Sequence, residues 1–266
     1  MFFILPFTFE NYMKIFPCDA IFIRENINKC VLPYYQPIYD IKNSTSVGAE
    51  ILARFHHPSN GLLTPAQFLP YLHSSEDIKN MTCSLLFQTG EMFKKIKFPS
   101  RFFLSFNIPA NLIYEPWVLV LCKRLQTVTN SRIDIIIELT ESYSLSAPEN
   151  EISNAIRQFE RYNIKIALDD FGCGYSGLDA LLKTKAKVIK IPKIFIDKIT
   201  SDPISRIIIL NILELATSLD LDVIVEGVET KKQMQFLKKI GIHYVQGYFF
   251  SKPLSGSDFF NKVFDK

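Results

Sequence analysis

Two adjacent aspartates in the middle of the chain follow an apolar segment, and their position suits them to chemistry. Ile164, Ile166 and Leu168 precede Asp169 and Asp170, and a glycine-rich turn follows, so we predict a buried strand with both acids at its carboxyl end. Neighbouring carboxylates repel each other unless a cation compensates their charge, and a divalent metal ion is the usual compensation. A helix N-cap followed by a solvated acid in a turn also accounts for the pair. The pair alone leaves both interpretations open.

Polar side chains recur where the other predicted strands end, although the strands themselves consist of Ile, Val, Leu and Phe. These polar residues are Glu50, Asn107, Glu138 with Glu141, Lys190, Glu226 and Gln246. The carboxyl ends of the strands of a βα barrel converge on one face, so we expect these side chains to lie together. Carboxylate and amide oxygens without paired His or Cys suit Mg²⁺ or Mn²⁺ rather than zinc. Several acids can hold two such ions about 3.5–4 Å apart, an arrangement that clamps a phosphodiester for in-line attack.

The basic residues near these acids each have two interpretations. Lys190 can lower the pKa of a bound water or neutralise charge that develops on a phosphate, and it can also serve as an ion-pair partner of the acids. Arg54 can hold a phosphate through two hydrogen bonds, although a single arginine on a strand is more often an ordinary ion-pair residue. His56 and His57 lack the i, i+4 spacing that places two metal ligands on one helix face, so we predict that they lie in a loop before Pro58.

Strand and helix patterns alternate from residue 101 to the end of the chain. We predict strands over residues 101–107, 133–139, 164–170, 187–191, 221–226 and 242–246, with a helix after each strand. One of these helices begins at Pro203, with Ser201 or Asp202 as its N-cap. Repeated βα units favour a closed parallel barrel of the α/β class, and 266 residues with 48% hydrophobic content are enough for one such domain. We therefore expect an N-terminal extension over residues 1–17 and a single domain over residues 18–266.

Composition excludes several classes of partner and site. The net charge is only +3 and the basic residues are dispersed, so we expect no nucleic-acid polymer as a partner. The five cysteines are scattered without a CxxC pair, which argues for reduced thiols in a cytosol rather than disulfides or a zinc site. No apolar run approaches the roughly 18 residues that span a bilayer, and the N-terminus lacks the basic segment of a signal peptide. We predict a protein without a membrane span.

The ordered series of motifs resembles the EAL domain family, the cyclic di-GMP-specific phosphodiesterases. The matching segments are Tyr35-Gln36-Pro37-Ile38, Glu50-Ile51-Leu52 with Arg54, Ser105-Phe106-Asn107, Glu138-Leu139-Thr140-Glu141, Asp169-Asp170-Phe171-Gly172-Cys173-Gly174-Tyr175-Ser176, Lys190, Glu226-Gly227-Val228-Glu229 and Gln246-Gly247-Tyr248. The resemblance covers about residues 19–264 and implies a modified TIM (β/α)8 barrel in which one strand runs antiparallel. It also implies hydrolysis of cyclic di-GMP to linear pGpG, which lowers the level of this second messenger in bacterial signalling.

The resemblance implies a metal-binding role for five of these residues. Glu50, Asn107, Glu138 and Asp169 would hold the first metal ion. Asp169 would bridge to a second ion, which Asp170 would also hold. Each active site would therefore contain two Mg²⁺ or Mn²⁺ ions.

Further roles follow from the same resemblance. Lys190 and Glu226 would position or deprotonate the attacking water, and Glu141 would anchor the loop of residues 170–176. The dinucleotide would be contacted by Gln36, Leu52, Arg54 and Gln246. The family often forms homodimers through an interface that this loop links to the metal site, so a second copy and a regulatory protein are both expected partners.

The chain departs from the family pattern at three places. Ile51 replaces the usual Ala, and Cys173 and Gly177 replace the usual Thr and Ser of the loop. Pro192 stands where the family normally has Asp two residues after Lys190, and proline offers neither a carboxylate nor an N–H group. The alternative function is a catalytically weak or inactive EAL-like domain that acts as a cyclic di-GMP receptor or a protein-binding regulator. An unrelated barrel metallohydrolase would require the ordered match to be a coincidence.

Overall fold

The structure, a computed structural model, describes residues 17–96, 102–140, 149–173 and 177–265. Contacts within the chain divide it into two compact units. The first unit contains the described residues up to Leu32 together with Ala53–Leu85, and the second contains Pro33–Leu52 and the residues from Leu86 onward. The predicted division into an extension and a single domain stays a prediction, because residues 1–16 lie outside the described ranges.

Strands and helices alternate as the sequence pattern indicates. The strands of the described residues are β1 (Val31–Asp40), β2 (Thr45–His57), β3 (Gly61–Leu63), β4 (Phe102–Pro109), β5 (Ile133–Thr140), β6 (Ile164–Leu168), β7 (Val188–Ile191), β8 (Asp222–Val225) and β9 (Tyr244–Val245). The helices are α1 (Pro17–Glu25), α2 (Ile27–Cys30), α3 (Pro65–Phe68), α4 (Ser75–Phe93), α5 (Pro116–Val128), α6 (Glu149–Arg161), α7 (Gly177–Thr184), α8 (Lys193–Ile196), α9 (Pro203–Ser218), α10 (Lys231–Lys239) and α11 (Gly256–Val263).

Eight strands of the second unit close into a barrel. The order of neighbours is β1, β9, β8, β7, β6, β5, β4 and β2, and β2 pairs with β1 to complete the circle. The pairs from β2–β4 round to β8–β9 are parallel, whereas β1 runs antiparallel to β9. The predicted modified TIM barrel with one antiparallel strand is therefore confirmed.

The barrel interior is layered because every second residue of a strand faces inward. The middle layer is a buried apolar cluster of Ile38, Ile136, Ala167, Val188 and Ile224. The inward residues two positions further along the parallel strands β5, β6, β7 and β8 are Glu138, Asp169, Lys190 and Glu226. The pleat thus carries four charged side chains from different strands to one end of the barrel.

The opposite end of the barrel is lined by Phe103, Asp134, Lys165, Asp222 and Tyr244, among other residues, around a cavity of about 260 Å³. Lys165 and Asp222 form an ion pair of 2.8 Å there. Gly48 of β2 lies beside Phe103 of β4 at this end of the barrel. A Cβ atom at position 48 would lie 2.5 Å from the Phe103 ring, so glycine is the residue that fits there.

Helix α9 begins as the sequence predicts. Pro203 is its first residue, and Asp202 is the N-cap whose carboxylate accepts hydrogen bonds from the N–H groups of Ile204 and Ser205, both at 3.1 Å. Across the described ranges, none of the helices combines the length and the apolar composition that crossing a membrane requires.

The first unit corrects the prediction of a loop at His56 and His57. Both histidines belong to β2, where they pair with Leu62 and Gly61 of β3 in an antiparallel hairpin. His57 is buried, and its Nδ1 accepts hydrogen bonds from the N–H groups of Ser59 and Asn60 in the turn. The prediction was wrong because it placed both histidines in the loop around Pro58, whereas β2 continues through His57 and the imidazole of His57 stabilises the tight turn that follows.

Candidate metal and active site

Lys190 lies at the centre of the polar end of the barrel. Its Nζ atom is 2.6 Å from Glu226 Oε1, 2.7 Å from Glu138 Oε2, 3.2 Å from Asp169 Oδ1 and 3.5 Å from Glu50 Oε2. The side chain is only 1% exposed, so this ammonium interacts with carboxylates rather than with solvent. Two of the four acids lie in strands, Glu50 in β2 and Glu138 in β5, and the other two directly follow β6 and β8. All four lie together because they share one buried positive charge.

Glu50 is fixed by side-chain amides. Asn107 Nδ2 donates to Glu50 Oε1 at 3.0 Å, and Gln246 Nε2 donates to Glu50 Oε2 at 2.7 Å. Gln246 Nε2 also donates to Gln36 Oε1 at 2.9 Å, and Gln36 in turn donates to the carbonyl oxygen of Ser251 at 3.2 Å. Every donor in this hydrogen-bond network is buried or half-buried, so the network fixes the orientation of the Glu50 carboxylate at the barrel wall.

Asp169 and Asp170 lie in a turn and not, as predicted, at the end of a strand. Strand β6 ends at Leu168, and the N–H of Asp169 still donates to the carbonyl oxygen of Leu139 at 3.1 Å. Asp170 has φ of +50°, a left-handed conformation that short polar side chains tolerate and that ends the strand. The N–H of Phe171 then donates to the carbonyl oxygen of Lys190 at 3.0 Å, so the turn is tied to the strand that carries the central lysine.

The charges at the site shift the pKa values of its acids in different directions. Burial raises the pKa of Glu138 well above its usual range, and repulsion from Glu50 adds to that effect. Burial opposes ionisation of Glu50 as well, but Lys190 and the amides of Gln246 and Asn107 outweigh it and lower the pKa of Glu50. Burial raises the pKa of Glu226 to about 7, against the attraction of Lys190. Neighbouring carboxyl groups thus differ in protonation at neutral pH.

The donor set fits a hard divalent cation. Oε1 of Glu138 is buried and forms no hydrogen bond within the described part of the chain, while its Oε2 contacts Lys190. Asp169, Asp170 and Glu226 each offer one oxygen, and these three oxygens lie within 4.8 Å of one another. Buried acceptors without donors are costly unless a cation or proton satisfies them, and carboxylate oxygens are the ligands that Mg²⁺ and Mn²⁺ prefer.

A cavity of about 420 Å³ opens over this cluster. Its lining includes seven residues that the sequence indicated: Gln36, Glu50, Leu52, Asp169, Lys190, Glu226 and Gln246. It also includes Lys193, Gly227, Glu229, Gly247 and Tyr248, to which the sequence analysis assigned no role. Four of these five follow Glu226 or Gln246 within quoted motifs, which was the available signal, whereas nothing in the sequence singled out Lys193.

Asn107, Glu138 and Asp170 belong to the cluster beneath the cavity without being part of its lining, whereas the described structure shows neither Arg54 nor Glu141 in the cluster or the lining. Arg54 lies in the part of β2 that belongs to the first unit, where its Nη1 donates to the carbonyl oxygen of Ala53 at 2.7 Å. Glu141 lies outside the described residues. Their roles, like those of the residues that do converge, stay predictions.

The family model for the EAL domain matches residues 23–253. The chain belongs to the EAL domain family. Probable cyclic di-GMP phosphodiesterase PdeG of Escherichia coli (strain K12) is 32% identical over 264 residues, which are 98% of this chain and 52% of the relative. Cyclic di-GMP phosphodiesterase PdeL of the same organism is 34% identical over 234 residues, 86% of this chain and 64% of the relative. This EAL chain therefore spans less than two thirds of the length of either relative.

A solved structure shares the fold of this EAL domain. The EAL enzyme Bd1971 in its cAMP- and cyclic-di-GMP-bound form is 28% identical, with a TM-score of 0.79 over 92% of this chain and 69% of that chain. Ile51, which replaces the usual Ala between Glu50 and Leu52, is buried and only 3% exposed. Leu52 beside it lines the cavity. Pro192 is the N-cap of α8, with φ of −72°.

Replacement of the central lysine tests the electrostatic account of this EAL site. Lys190→Met removes the cation that favours ionisation of Glu138 and Glu226, so burial raises the pKa values of these two groups further above those of the unfolded chain. Stability is then lost as pH rises, because the unfolded state releases the protons more readily. We expect a loss of about 3–5 kcal/mol at pH 8 in urea unfolding with EDTA, and a smaller loss at pH 5.5.

Lys165→Met is the matched control on the neighbouring strand. Its ion pair with Asp222 is 47% and 44% exposed, so its removal should cost no more than about 1 kcal/mol. Equal losses for the two variants, or a Lys190→Met loss that does not grow with pH, would contradict this account.

Proposed function

We propose that this EAL domain hydrolyses one phosphodiester bond of cyclic di-GMP to give linear pGpG, and so lowers the level of this second messenger in the bacterial cytoplasm. The observation that carries the proposal is the convergence of Glu50, Glu138, Asp169 and Glu226 on Lys190 beneath an open cavity. Relatives named cyclic di-GMP phosphodiesterases support the choice of substrate.

Two divalent ions, Mg²⁺ or Mn²⁺, are part of the proposal. Glu50, Asn107, Glu138 and Asp169 would hold the first ion, and Asp169 with Asp170 the second. When bound, the ions would supply Lewis-acid stabilisation of the phosphoryl oxygens and lower the pKa of the attacking water. Two observations support this assignment: Oε1 of Glu138 is buried without a hydrogen-bond donor among the described residues, and one oxygen each of Asp169, Asp170 and Glu226 lie within 4.8 Å of one another.

Glu226 and Lys190 are the proposed groups that act on the water. The Glu226 carboxylate lines the cavity beside Lys190, where it can accept a proton from a water molecule that reaches the site, so it suits a general base. The proton of the water would pass to a Glu226 oxygen as the water oxygen bonds to phosphorus. The bond from phosphorus to the ribose oxygen would break with its electron pair on that oxygen, which would take up a proton from solvent water to become the hydroxyl of pGpG. Lys190, 2.6 Å from Glu226, would hold that carboxylate in position and offset the charge of the phosphate.

Gln36, Leu52, Arg54 and Gln246 are the proposed contacts to the dinucleotide. Gln246 Oε1 is buried and forms no hydrogen bond in the described structure, so it is an available acceptor for an N–H group of a guanine base. Leu52 and Gln36 line the same cavity. Glu141 is the proposed anchor of the loop of residues 170–176.

The first experiment incubates the purified protein with cyclic di-GMP and follows pGpG by chromatography. We expect product with Mg²⁺ or Mn²⁺ and none with EDTA. Asp169→Asn should abolish turnover, a loss of at least about a thousandfold, because it removes a shared ligand charge, while its far-UV circular dichroism stays that of the wild type.

The control is Asp222→Asn, which changes an aspartate at the opposite end of the barrel and should retain turnover. Turnover by Asp169→Asn at the wild-type rate would remove the two-metal mechanism. Binding of cyclic di-GMP without product would instead assign the chain to the receptor class, for which Pro192 is the motivating substitution.

Metal binding should release protons near neutral pH. Glu226 is partly protonated at pH 7 in the metal-free protein, and a carboxyl group that interacts with a metal ion must ionise. The apparent affinity for Mg²⁺ should therefore rise between pH 6 and pH 8, by up to about tenfold per pH unit for each proton released.

Calorimetric titrations in two buffers of different ionisation enthalpy measure this proton release. Glu226→Gln should reduce it by about one proton at pH 6.5. An affinity that is independent of pH over this interval would show that the carboxyl groups are already ionised in the metal-free protein.

We also propose that the chain forms a homodimer, with a regulatory protein as a further partner. Leu178 and Leu182 of α7 and Ile204 and Ile207 of α9 are large apolar side chains that are more than half exposed, which supports a protein contact on these helices. Sedimentation equilibrium should give a dimer for the wild type and a monomer for Leu182→Glu, with Leu62→Glu in β3 as the control. A monomeric wild type at micromolar concentration would contradict the homodimer.

A further inference from the structure

The cavity has an acidic lining and one accessible cation, and this combination conflicts with the charge of the proposed ligand. The charged residues of its lining are four acids and two lysines: Glu50, Asp169, Glu226, Glu229, Lys190 and Lys193. Lys190 is 1% exposed and lies among carboxylates, whereas the side chain of Lys193 is 46% exposed. Among the described residues of the lining, Lys193 is therefore the cation that an incoming anion can reach.

Backbone geometry places the stem of Lys193 against the cavity wall. Gly227 follows Glu226 directly and has φ of +67°, a conformation that side chains disfavour. A Cβ atom on Gly227 would lie 2.3 Å from Cβ of Lys193 and 2.9 Å from its Cα, so only glycine allows the two segments to approach this closely. Pro192 precedes Lys193 and is the N-cap of α8. Because its ring restricts φ, the proline fixes the direction in which the backbone of Lys193 leaves strand β7.

The ammonium of Lys193 is held at the rim by acids. It forms an ion pair with Glu229 and a second, longer contact of 3.5 Å with Asp197. Glu229 is 42% exposed, and an ion pair this exposed contributes little stability, so another anion can displace it at small cost. We call Lys193 and Glu229 the rim pair.

A buried glutamine sets the relative position of the rim pair. Gln233 of α10 is 6% exposed, and its Oε1 accepts the N–H of Glu229 at 2.9 Å. Its Nε2 donates to the carbonyl oxygen of Ile196 in α8 at 3.1 Å. One side chain therefore joins the helix that begins at Lys193 to the segment that carries Glu229, which makes the rim pair a constructed feature rather than a chance surface contact.

We propose that Lys193 is the subsite for the second, unreacting phosphodiester of a cyclic dinucleotide, and that Glu229 is the counter-ion which this phosphate displaces. The inference rests on the proposed function, in which the reacting phosphodiester lies at the carboxylate cluster around Lys190. A cyclic dinucleotide carries two phosphodiesters, each with one negative charge, and the second would otherwise lie in a cavity lined by acids. Lys193 supplies the charge-assisted hydrogen bond that compensates it.

The test compares Lys193→Met, Lys193→Arg and Glu229→Gln with the wild type. Cyclic di-GMP binding is measured by calorimetry in EDTA, and kcat and KM are measured with Mg²⁺. Lys193→Met should weaken binding about tenfold to a hundredfold and raise KM by a similar factor with little change in kcat, because the interaction is made equally in the ground and transition states. Lys193→Arg should retain most of the affinity.

Glu229→Gln should change binding in the opposite direction. It removes the competing carboxylate and should tighten binding about threefold to tenfold, and this gain should vanish in the double variant with Lys193→Met. Lys198→Met removes the same charge from an exposed position near α8 that does not line the cavity, and it should leave both measurements unchanged within twofold.

Each possible result supports or overturns the subsite. Wild-type binding by Lys193→Met, an equal loss in Lys198→Met, or a loss in Glu229→Gln would overturn the subsite while leaving the proposed hydrolysis intact. A lower kcat at unchanged KM in Lys193→Met would also overturn it, because that pattern belongs to a group that acts on the reacting phosphate. A wild type that neither binds nor hydrolyses cyclic di-GMP would overturn the proposed function together with the subsite.

Discussion

A single buried ammonium makes the polar end of this barrel possible. Glu50, Glu138, Asp169 and Glu226 come from different strands, and in the absence of Lys190 their mutual repulsion and their desolvation would oppose closure of the barrel at that end. The arrangement is reciprocal, because the lysine would equally be an uncompensated charge without the acids. Strand register, amide hydrogen bonds to Glu50 and the turn after β6 all serve to keep these groups within contact of one nitrogen atom.

The apolar middle layer separates the charged end of the barrel, which carries the candidate site, from the opposite end. Ile38, Ile136 and Val188, with their neighbours, fill the barrel between the carboxylate cluster and the cavity at the other end. This layer resembles the packed interior of other βα barrels, in which one end carries function and the other stability. It also keeps the dielectric environment beneath Lys190 low, which is why the pKa values of Glu138 and Glu226 depart from those of exposed carboxyl groups.

Much of this architecture follows from the sequence, and the failures have physical causes. The polar residues that end each apolar segment predicted the composition of the cluster, since period-two alternation and parallel strands suffice to bring Glu138, Lys190 and Glu226 to one face. Helix α9 begins at Pro203 as predicted, and Asp202 is the N-cap of the two residues that the sequence offered. The predicted strand over residues 164–170 extends two residues beyond the observed end of β6 at Leu168. The left-handed backbone of Asp170, which ends the strand, cannot be read from the hydropathy of the sequence. Lys193 was missed because its place depends on Gly227, a residue more than thirty positions away that no local pattern connects to it.

The backbone of Asp170 limits which sequences could occupy this position during divergence. At φ of +50° glycine, asparagine and aspartate are the most favoured residues, because their side chains are absent or short and polar. Glutamate would keep the charge but would strain the turn that also connects to the Lys190 carbonyl, whereas asparagine would keep the turn but not the charge. A substitution can therefore change the charge at this position without changing the backbone conformation. A homologue with asparagine here would keep the turn but lack the carboxylate.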